Sequence, residues 1–303
     1  MGRGERWLTS GVTDSSRATV VVCGAASWNH LITLDRLPEP VPHMQFALGD
    51  VHTLGGTSAG KALHLADLGT DSTLHALVGD DDAGRQVVAA LSSAGVRFQS
   101  YPSAQTERHV NLMTPAGERV SLYVATPSEA SDPTVSLMAE AIAAADIAVV
   151  DLSGIGVQLV ERRRSGEVGA PIWTDLHDYD GVSAFQEPFV RAADVVFMND
   201  DAIDDPWALM AGCLDRGPRL AVCTLGSRGA VALTASGERA SVPAHPVSVV
   251  DTNGAGDAFF AGFLAASLAG ASLEACLDAG ARQAVVALSS EHLHPAVATS
   301  GRA

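Results

Sequence analysis

The chain has 303 residues, 47% of them apolar, which is long enough for one large α/β domain or two small ones with a sizeable core. Asp and Glu number 35 against 19 Lys and Arg, and the net charge of −16 argues against nucleic acid or an anionic membrane as partner, since both need a basic face. It leaves ATP open, because an ATP site needs only local donors and a metal.

Met1 to Ser16 is polar and lacks the apolar core of a signal peptide, so it reads as a disordered extension ahead of a domain over residues 17–303. Ala18 to Cys23 is a β-rich apolar run ending at Gly24, a buried first strand. Val41 to Leu54 alternates but is broken by Pro42 and Gly49, which suits an edge or protruding strand pair. Thr57 and Ser58 then cap a helix through about Leu68, closed by Gly69. Thr73 to Val78 reads as a strand, and Asp80 to Asp82 open a helix that runs to about Ala94 and closes at Gly95. Strands follow over 96–101, 110–114 and 120–124, the last two joined by the turn signal Pro115-Ala116-Gly117.

From Val135 onward, strands near 147–151, 171–175, 194–198 and 219–224 alternate with helices. That alternation predicts a mostly parallel α/β sheet with helices on both faces. Ala258 to Leu273 is free of charge, but it is short for a membrane span and carries Gly262, Ser267 and Gly270; a buried helix is the better account. Cys23, Cys213, Cys223 and Cys276 lack Cys-x-x-Cys spacing and read as buried apolar residues of a reducing, cytoplasmic compartment. The histidines are scattered, and the close pair His292 and His294 has no third ligand beside it.

Chemistry concentrates in Asp251-Thr252-Asn253-Gly254-Ala255-Gly256-Asp257, just ahead of the uncharged run. Gly254, Ala255 and Gly256 can bring backbone N–H groups to a helix N-terminus, where unpaired donors and the positive end of the dipole suit phosphate. Asp257 then falls in the first turn. A carboxylate repels phosphate, so its use there is as a base that takes the proton of an attacking hydroxyl. The plainer alternative is a tight turn with an acid that complements the helix dipole. A rival phosphate cradle, Gly55-x-x-x-x-Gly60-Lys61, is nearly a P-loop, but the next residue is Ala62, which has no hydroxyl for Mg²⁺.

Asp251 to Phe259 resembles the C-terminal signature of the ribokinase-like carbohydrate kinases, the phosphofructokinase B family. Three further segments resemble the family in order. Gly24 to Asn29, running on to Asp35-Arg36-Leu37-Pro38, resembles its first strand and substrate loop. Leu54 to Ala62 with Leu68-Gly69 resembles the Gly-Gly signature, and Cys223 to Gly229 the nucleotide-phosphate loop. The resemblance implies the ribokinase-like fold with a small β lid from segments near 41–54 and 107–124, and in some members a homodimer through that lid. An ordinary antiparallel extension of the sheet is the plainer reading of those two segments.

The resemblance also implies roles. Asp257 would be the catalytic base and a contact of the acceptor, with the backbone of Gly254, Ala255 and Gly256 as anion hole. Asn199, Thr224, Gly226, Ser227 and Gly229 would bind the nucleotide, and Asn29, Gly55 and Gly56 the sugar. ATP with Mg²⁺ is implied, and Asp251 matches a position associated with a monovalent cation such as K⁺ in some members. Three positions depart from the pattern: the sugar-clamping aspartate falls on Asn29, the asparagine ending the Gly-Gly signature on Gly60, and the glutamate of Asn-x-x-Glu on Ala202, with Asp200 and Asp201 close by.

The expected activity is ATP-dependent phosphorylation of a sugar or sugar-like alcohol. A nucleoside kinase of the same fold and a non-catalytic sugar or nucleotide sensor are the alternatives; a pure binder has no use for the base at 257.

Overall fold

Alternation along the first strand sets the architecture. In β1 (Thr19–Cys23), Val20 and Val22 enter one apolar layer while Val21 and Cys23 enter another. A strand buried on both faces is what a parallel sheet between two helical layers requires. The structure, a computed structural model, describes residues 18–166 and 169–297. The extension expected over Met1 to Ser16 lies outside the described residues.

After β1 come β2 (Ser27–Thr33) and β3 (Gly49–Gly55), then α1 (Thr57–Asp67), β4 (Asp71–Gly79), α2 (Asp82–Ser93) and β5 (Phe98–Ser103). The strands β6 (Arg108–Met113) and β7 (Arg119–Ala125) precede α3 (Asp132–Ala143), β8 (Ile147–Val150), α4 (Gly154–Arg164), β9 (Ile172–Asp175) and α5 (Glu187–Ala192). The remainder is β10 (Val195–Asn199), α6 (Pro206–Leu214), β11 (Leu220–Thr224), β12 (Ala230–Thr234), β13 (Arg239–Val242), α7 (Ala255–Leu268) and α8 (Leu273–Leu288).

Among the described residues the large sheet runs β13-β12-β11-β10-β9-β8-β1-β4-β5, parallel from β11 to β5 and antiparallel through β12 and β13. Helices α1, α2, α7 and α8 cover one face, with Leu63, Leu91, Phe260 and Leu277 in its layer. The other face carries α3 to α6 through Met138, Leu159, Phe189 and Met210. Helix ends follow local chemistry: Asp81 accepts from the Gly84 N–H to start α2, and Ser272 from the Ala275 N–H to start α8.

Several expectations need correction. Residues 27–33, expected as part of a loop, form a strand, and the lid is a four-stranded sheet in the order β3-β2-β6-β7. Residues 41–48 contribute no strand to it. The charge-free run is a buried helix as far as Leu268, where α7 ends; Gly270, at φ 76, follows, and α8 begins at the last residue of the run, Leu273. The hairpin β12–β13 was not expected at all, although Ala230-Val-Ala-Leu-Thr234 and Arg239-Ala-Ser-Val242 flank a polar turn. Finally, Gly56 holds the N-cap of α1, with no side-chain cap from Thr57 or Ser58. Gly56 has φ 96, and a Cβ there would lie 2.4 Å from the Ala25 carbonyl oxygen, so the chain passes too close for any other residue.

Candidate active site

The inner face of the lid and the carboxyl ends of β1, β8 and β9 enclose a cleft of about 980 Å³, lined among others by Gly24, Asn29, Gly55, Gly56, His177 and Asp257. This is where ligands collect in open α/β sheets, beyond the carboxyl ends of the strands. Gly254, left-handed at φ 79, is the N-cap of α7, and no side chain caps the helix. The N–H groups of its first turn therefore have no partner within the helix; that of Ala255 makes a long contact, 3.4 Å, to the Thr252 carbonyl. Asp257 sits in this turn, buried, with its carboxyl on the cleft.

What lies beneath Asp257 escaped the sequence. Lys61 on α1 is fully buried and donates to Asp257 Oδ1 at 2.7 Å. Its ammonium is also 3.1 Å from Asp151 Oδ1 and 3.4 Å from Asp175 Oδ2. Asp151 follows β8 and Asp175 ends β9, so successive parallel strands deliver the two carboxylates. Ser58, expected as a helix cap, donates instead to Asp151 Oδ2 at 2.7 Å. Burial would discharge the Lys61 ammonium, but the carboxylates of Asp151, Asp257 and Asp175 outweigh it and hold the group well above the usual lysine range. Burial pushes Asp257 up to about 6, against the pull of Lys61 and reinforced by Asp175 and Asp151. Asp175 is pushed up by burial but ends below its ordinary value through His177 and Lys61. The placement of Lys61 removes the P-loop reading, because its ammonium is consumed by carboxylates.

The lid supplies the opposite wall. Asn29, expected in a loop, lies on β2 with its side chain toward the cleft, and its Oδ1 is buried without a partner. A Cβ on Gly55 would come within 2.1 Å of the Asn29 amide nitrogen, so the glycine leaves room for that side chain. From β6, His109 and Asn111 reach the same cleft, and Asn111 Oδ1 is also buried and unpartnered. Glu107 Oε1 is 2.9 Å from His109 Nε2, and the His109 ring lies 3.9 Å from that of Tyr123 on β7. Arg119, also on β7, donates to Asn253 Oδ1 at 3.2 Å and ties the lid to the loop before α7. His109-Val110-Asn111-Leu112 was the available signal: polar residues at period two on a strand share one face. Buried polar atoms without partners are uncommon and mark places where a polar ligand binds.

The residues expected at the nucleotide gather elsewhere, at the ends of β10 and β11, where Asn199 and Thr224 are register partners. Gly226 to Arg228 form a 3₁₀ turn whose Gly226 and Ser227 are exposed. Gly229 has φ 99, and a Cβ there would lie 2.0 Å from the Val242 carbonyl oxygen. Its glycine is thus demanded by the approach of β13, whatever the nucleotide requires. Asn199 Oδ1 accepts from the Asp201 N–H at 3.1 Å, and Asp200 pairs with Arg228. Asp251 Oδ1 accepts from the Asn253 N–H at 2.9 Å, a turn that fixes the entry to the glycines.

Comparison with known proteins converges on one family. The model of the pfkB family carbohydrate kinases matches residues 18–297. The chain is 34% identical over 275 residues to an acarbose 7(IV)-phosphotransferase of Actinoplanes sp., covering 88% of this chain and 91% of the relative. It is 27% identical over 272 residues to a nucleoside kinase of Methanothermobacter thermautotrophicus, covering 85% of each. Among solved structures, the microbiome-derived acarbose kinase Mak1 superposes with a TM-score of 0.76 at 32% identity, over 89% of this chain and 93% of that one. The ribokinase of Arabidopsis thaliana, complexed with ribose and ATP, shares the fold with a TM-score of 0.75 at 22% identity, over 93% and 96%.

Proposed function

The chain belongs to the pfkB family of carbohydrate kinases, and from that membership we propose that it transfers the γ-phosphoryl group of ATP to a sugar hydroxyl with Asp257 as general base. The observation that carries this reading is the placing of the Asp257 carboxyl on the lidded cleft within the first turn of α7. The acceptor O–H bond breaks toward Asp257 as the oxygen bonds to phosphorus and the bond to ADP breaks. Backbone donors at Gly254, Ala255 and Gly256 stabilise charge on the moving phosphoryl group.

Mg²⁺ bound with ATP neutralises polyphosphate charge. Thr224, Gly226, Ser227 and Gly229 would hold the phosphates. Asn199, with the acidic pair Asp200 and Asp201, offers the oxygen-rich surroundings that a hydrated Mg²⁺ takes. Asp251, one oxygen of which accepts from the Asn253 N–H, would carry the monovalent-cation role that family membership implies; rates in K⁺ against Na⁺ buffers read it.

A cleft of about 980 Å³ stands at the upper end of small-molecule pockets, roughly 300–1,000 Å³. Gln158, Glu161 and Gln186 line the same cleft, polar side chains that can meet further hydroxyls. This extent supports an acceptor of more than one sugar ring, in keeping with the acarbose-phosphorylating relatives. Tyr123, Phe185 and His109 also line it, and aromatic rings there favour a nucleoside as second reading. ADP release measured across monosaccharides, oligosaccharides and nucleosides separates the two; release with none of them would leave the sensor reading.

Asn29 should set acceptor preference. Asn29→Asp is expected to change the acceptor ranking or raise acceptor KM by about 1–3 kcal/mol equivalent, with ATP KM little altered. An unchanged ranking and KM would return Asn29 to a purely structural role.

On the outer face of the lid, Val120 and Leu122 are exposed beside Ile32 and Leu112. That apolar face supports a homodimer through the lid, readable by sedimentation. No helix among the described residues is long and apolar enough to cross a membrane. The four free, buried cysteines support a cytoplasmic setting.

A further inference from the structure

Two neighbouring residues of α1 meet one carboxylate, that of Asp257. Gly60 replaces the usual asparagine, and its missing side chain opens the space beside Asp257: a Cβ there would stand 2.8 Å from Asp257 Oδ2 and 3.1 Å from its Cγ. Its neighbour Lys61 takes hold of the other oxygen, Oδ1, at 2.7 Å. We propose that Lys61 is a positioning residue that keeps Asp257 charged and fixes its carboxylate, with Oδ1 held and Oδ2 left to the acceptor. The inference rests on Asp257 being the base.

The surroundings make a cation necessary at this point. Asp257 faces Lys61 from α1, Asp151 from beyond β8 and Asp175 from the end of β9. His177 Nδ1 stands 3.6 Å from Asp175 Oδ2 and pairs with that carboxylate. Arg119 is engaged with Asn253, and the buried Cys23 thiol beside Asp151 is pushed up by its burial and stays neutral. The Phe260 ring lies 5.2 Å from the Lys61 ammonium. Lys61 is therefore the cation in direct contact with Asp257. Without it, three buried carboxylates share one pocket, and like charges in low dielectric favour protonation of one of them. Asp257 already sits at about 6 with Lys61 present. A further rise would leave the base protonated at neutral pH.

A purely structural lysine and a positioning lysine differ in their pH signature. For Lys61→Met, kcat/KM measured against pH should show its acid limb moved up by at least about one unit. With the midpoint moved by about one unit the loss should be about fivefold at pH 6 and approach about tenfold below it, recovering toward wild type well before pH 9, with ATP KM little changed. A uniform loss at every pH with an unmoved midpoint would overturn the proposal, as would no loss. Should K61M fail to fold, K61M/D151N loses one cation and one anion and keeps the net charge of the cluster. Its midpoint should lie above that of D151N alone, and an equal midpoint overturns the proposal. Asp257→Asn separates this inference from the reading beneath it. If D257N is inactive at every pH and the K61M midpoint is unmoved, the lysine role falls and the base stands. If D257N stays active, both fall.

Discussion

Asp257→Asn should abolish turnover while leaving the fold and ATP binding nearly intact. The side chain is isosteric, and its contact with Lys61 at 2.7 Å would pass from an ion pair to a weaker bond with the amide oxygen. The variant relieves the crowding of carboxylates around Lys61, since Asp151 and Asp175 remain as its partners. Thermal stability should therefore hold. Catalysis should not: removing a general base commonly costs on the order of 10²–10⁴-fold. Turnover measured by ADP release, beside nucleotide binding by calorimetry, checks both halves. Near wild-type kcat in a folded variant would show that another group takes the proton.

Local patterns carried most of the frame. The strand–helix alternation from β8 to β11 was readable because each strand is a short apolar run bounded by polar helix starts. The start of α7 is legible because Gly254 takes the left-handed backbone that suits glycine and Asp257 directly follows the glycines. The lid was less so: Trp28-Asn-His-Leu-Ile-Thr33 is a half-polar strand whose alternation becomes meaningful once it pairs with β3 and β6. For that reason the sequence puts Asn29 in a loop, whereas it lies on β2 and lines the cleft. The β12–β13 hairpin is hard to see in the sequence because β13 has four residues and only Val242 of them is buried.

The charge cluster was the least visible part. Lys61, Asp151, Asp175 and Asp257 are 196 residues apart at their extremes, and each is unremarkable in its own segment. Only the parallel order of β8 and β9, with α1 packed on α7, brings them together. The near-match to a P-loop fails in the sequence at Ala62, and the packing agrees, since the Lys61 ammonium is held by carboxylates.

Gly60 yields the second large effect, one in which stability and activity part. Gly60→Ala adds one methyl on α1, where replacing glycine within a helix is worth up to about 1 kcal/mol in propensity. The added Cβ meets Asp257 Oδ2 at 2.8 Å and its Cβ and Cγ at 3.1 Å. These atoms belong to a side chain, so the carboxylate can yield without moving the backbone. It cannot yield freely, because Oδ1 is held by Lys61 and Asp257 is buried on every side but the cleft. The strain should therefore be expressed as a displaced base, and a misplacement of about 1 Å can cost on the order of 10² in rate. The expected result is a melting temperature at or above wild type with kcat down by about 10² and ATP KM unchanged. Gly60→Asn, which restores the residue usual in the family, should be worse, since its larger side chain competes for the same space. A Gly60→Ala enzyme with wild-type kcat would mean that Asp257 does not work from the geometry Lys61 gives it.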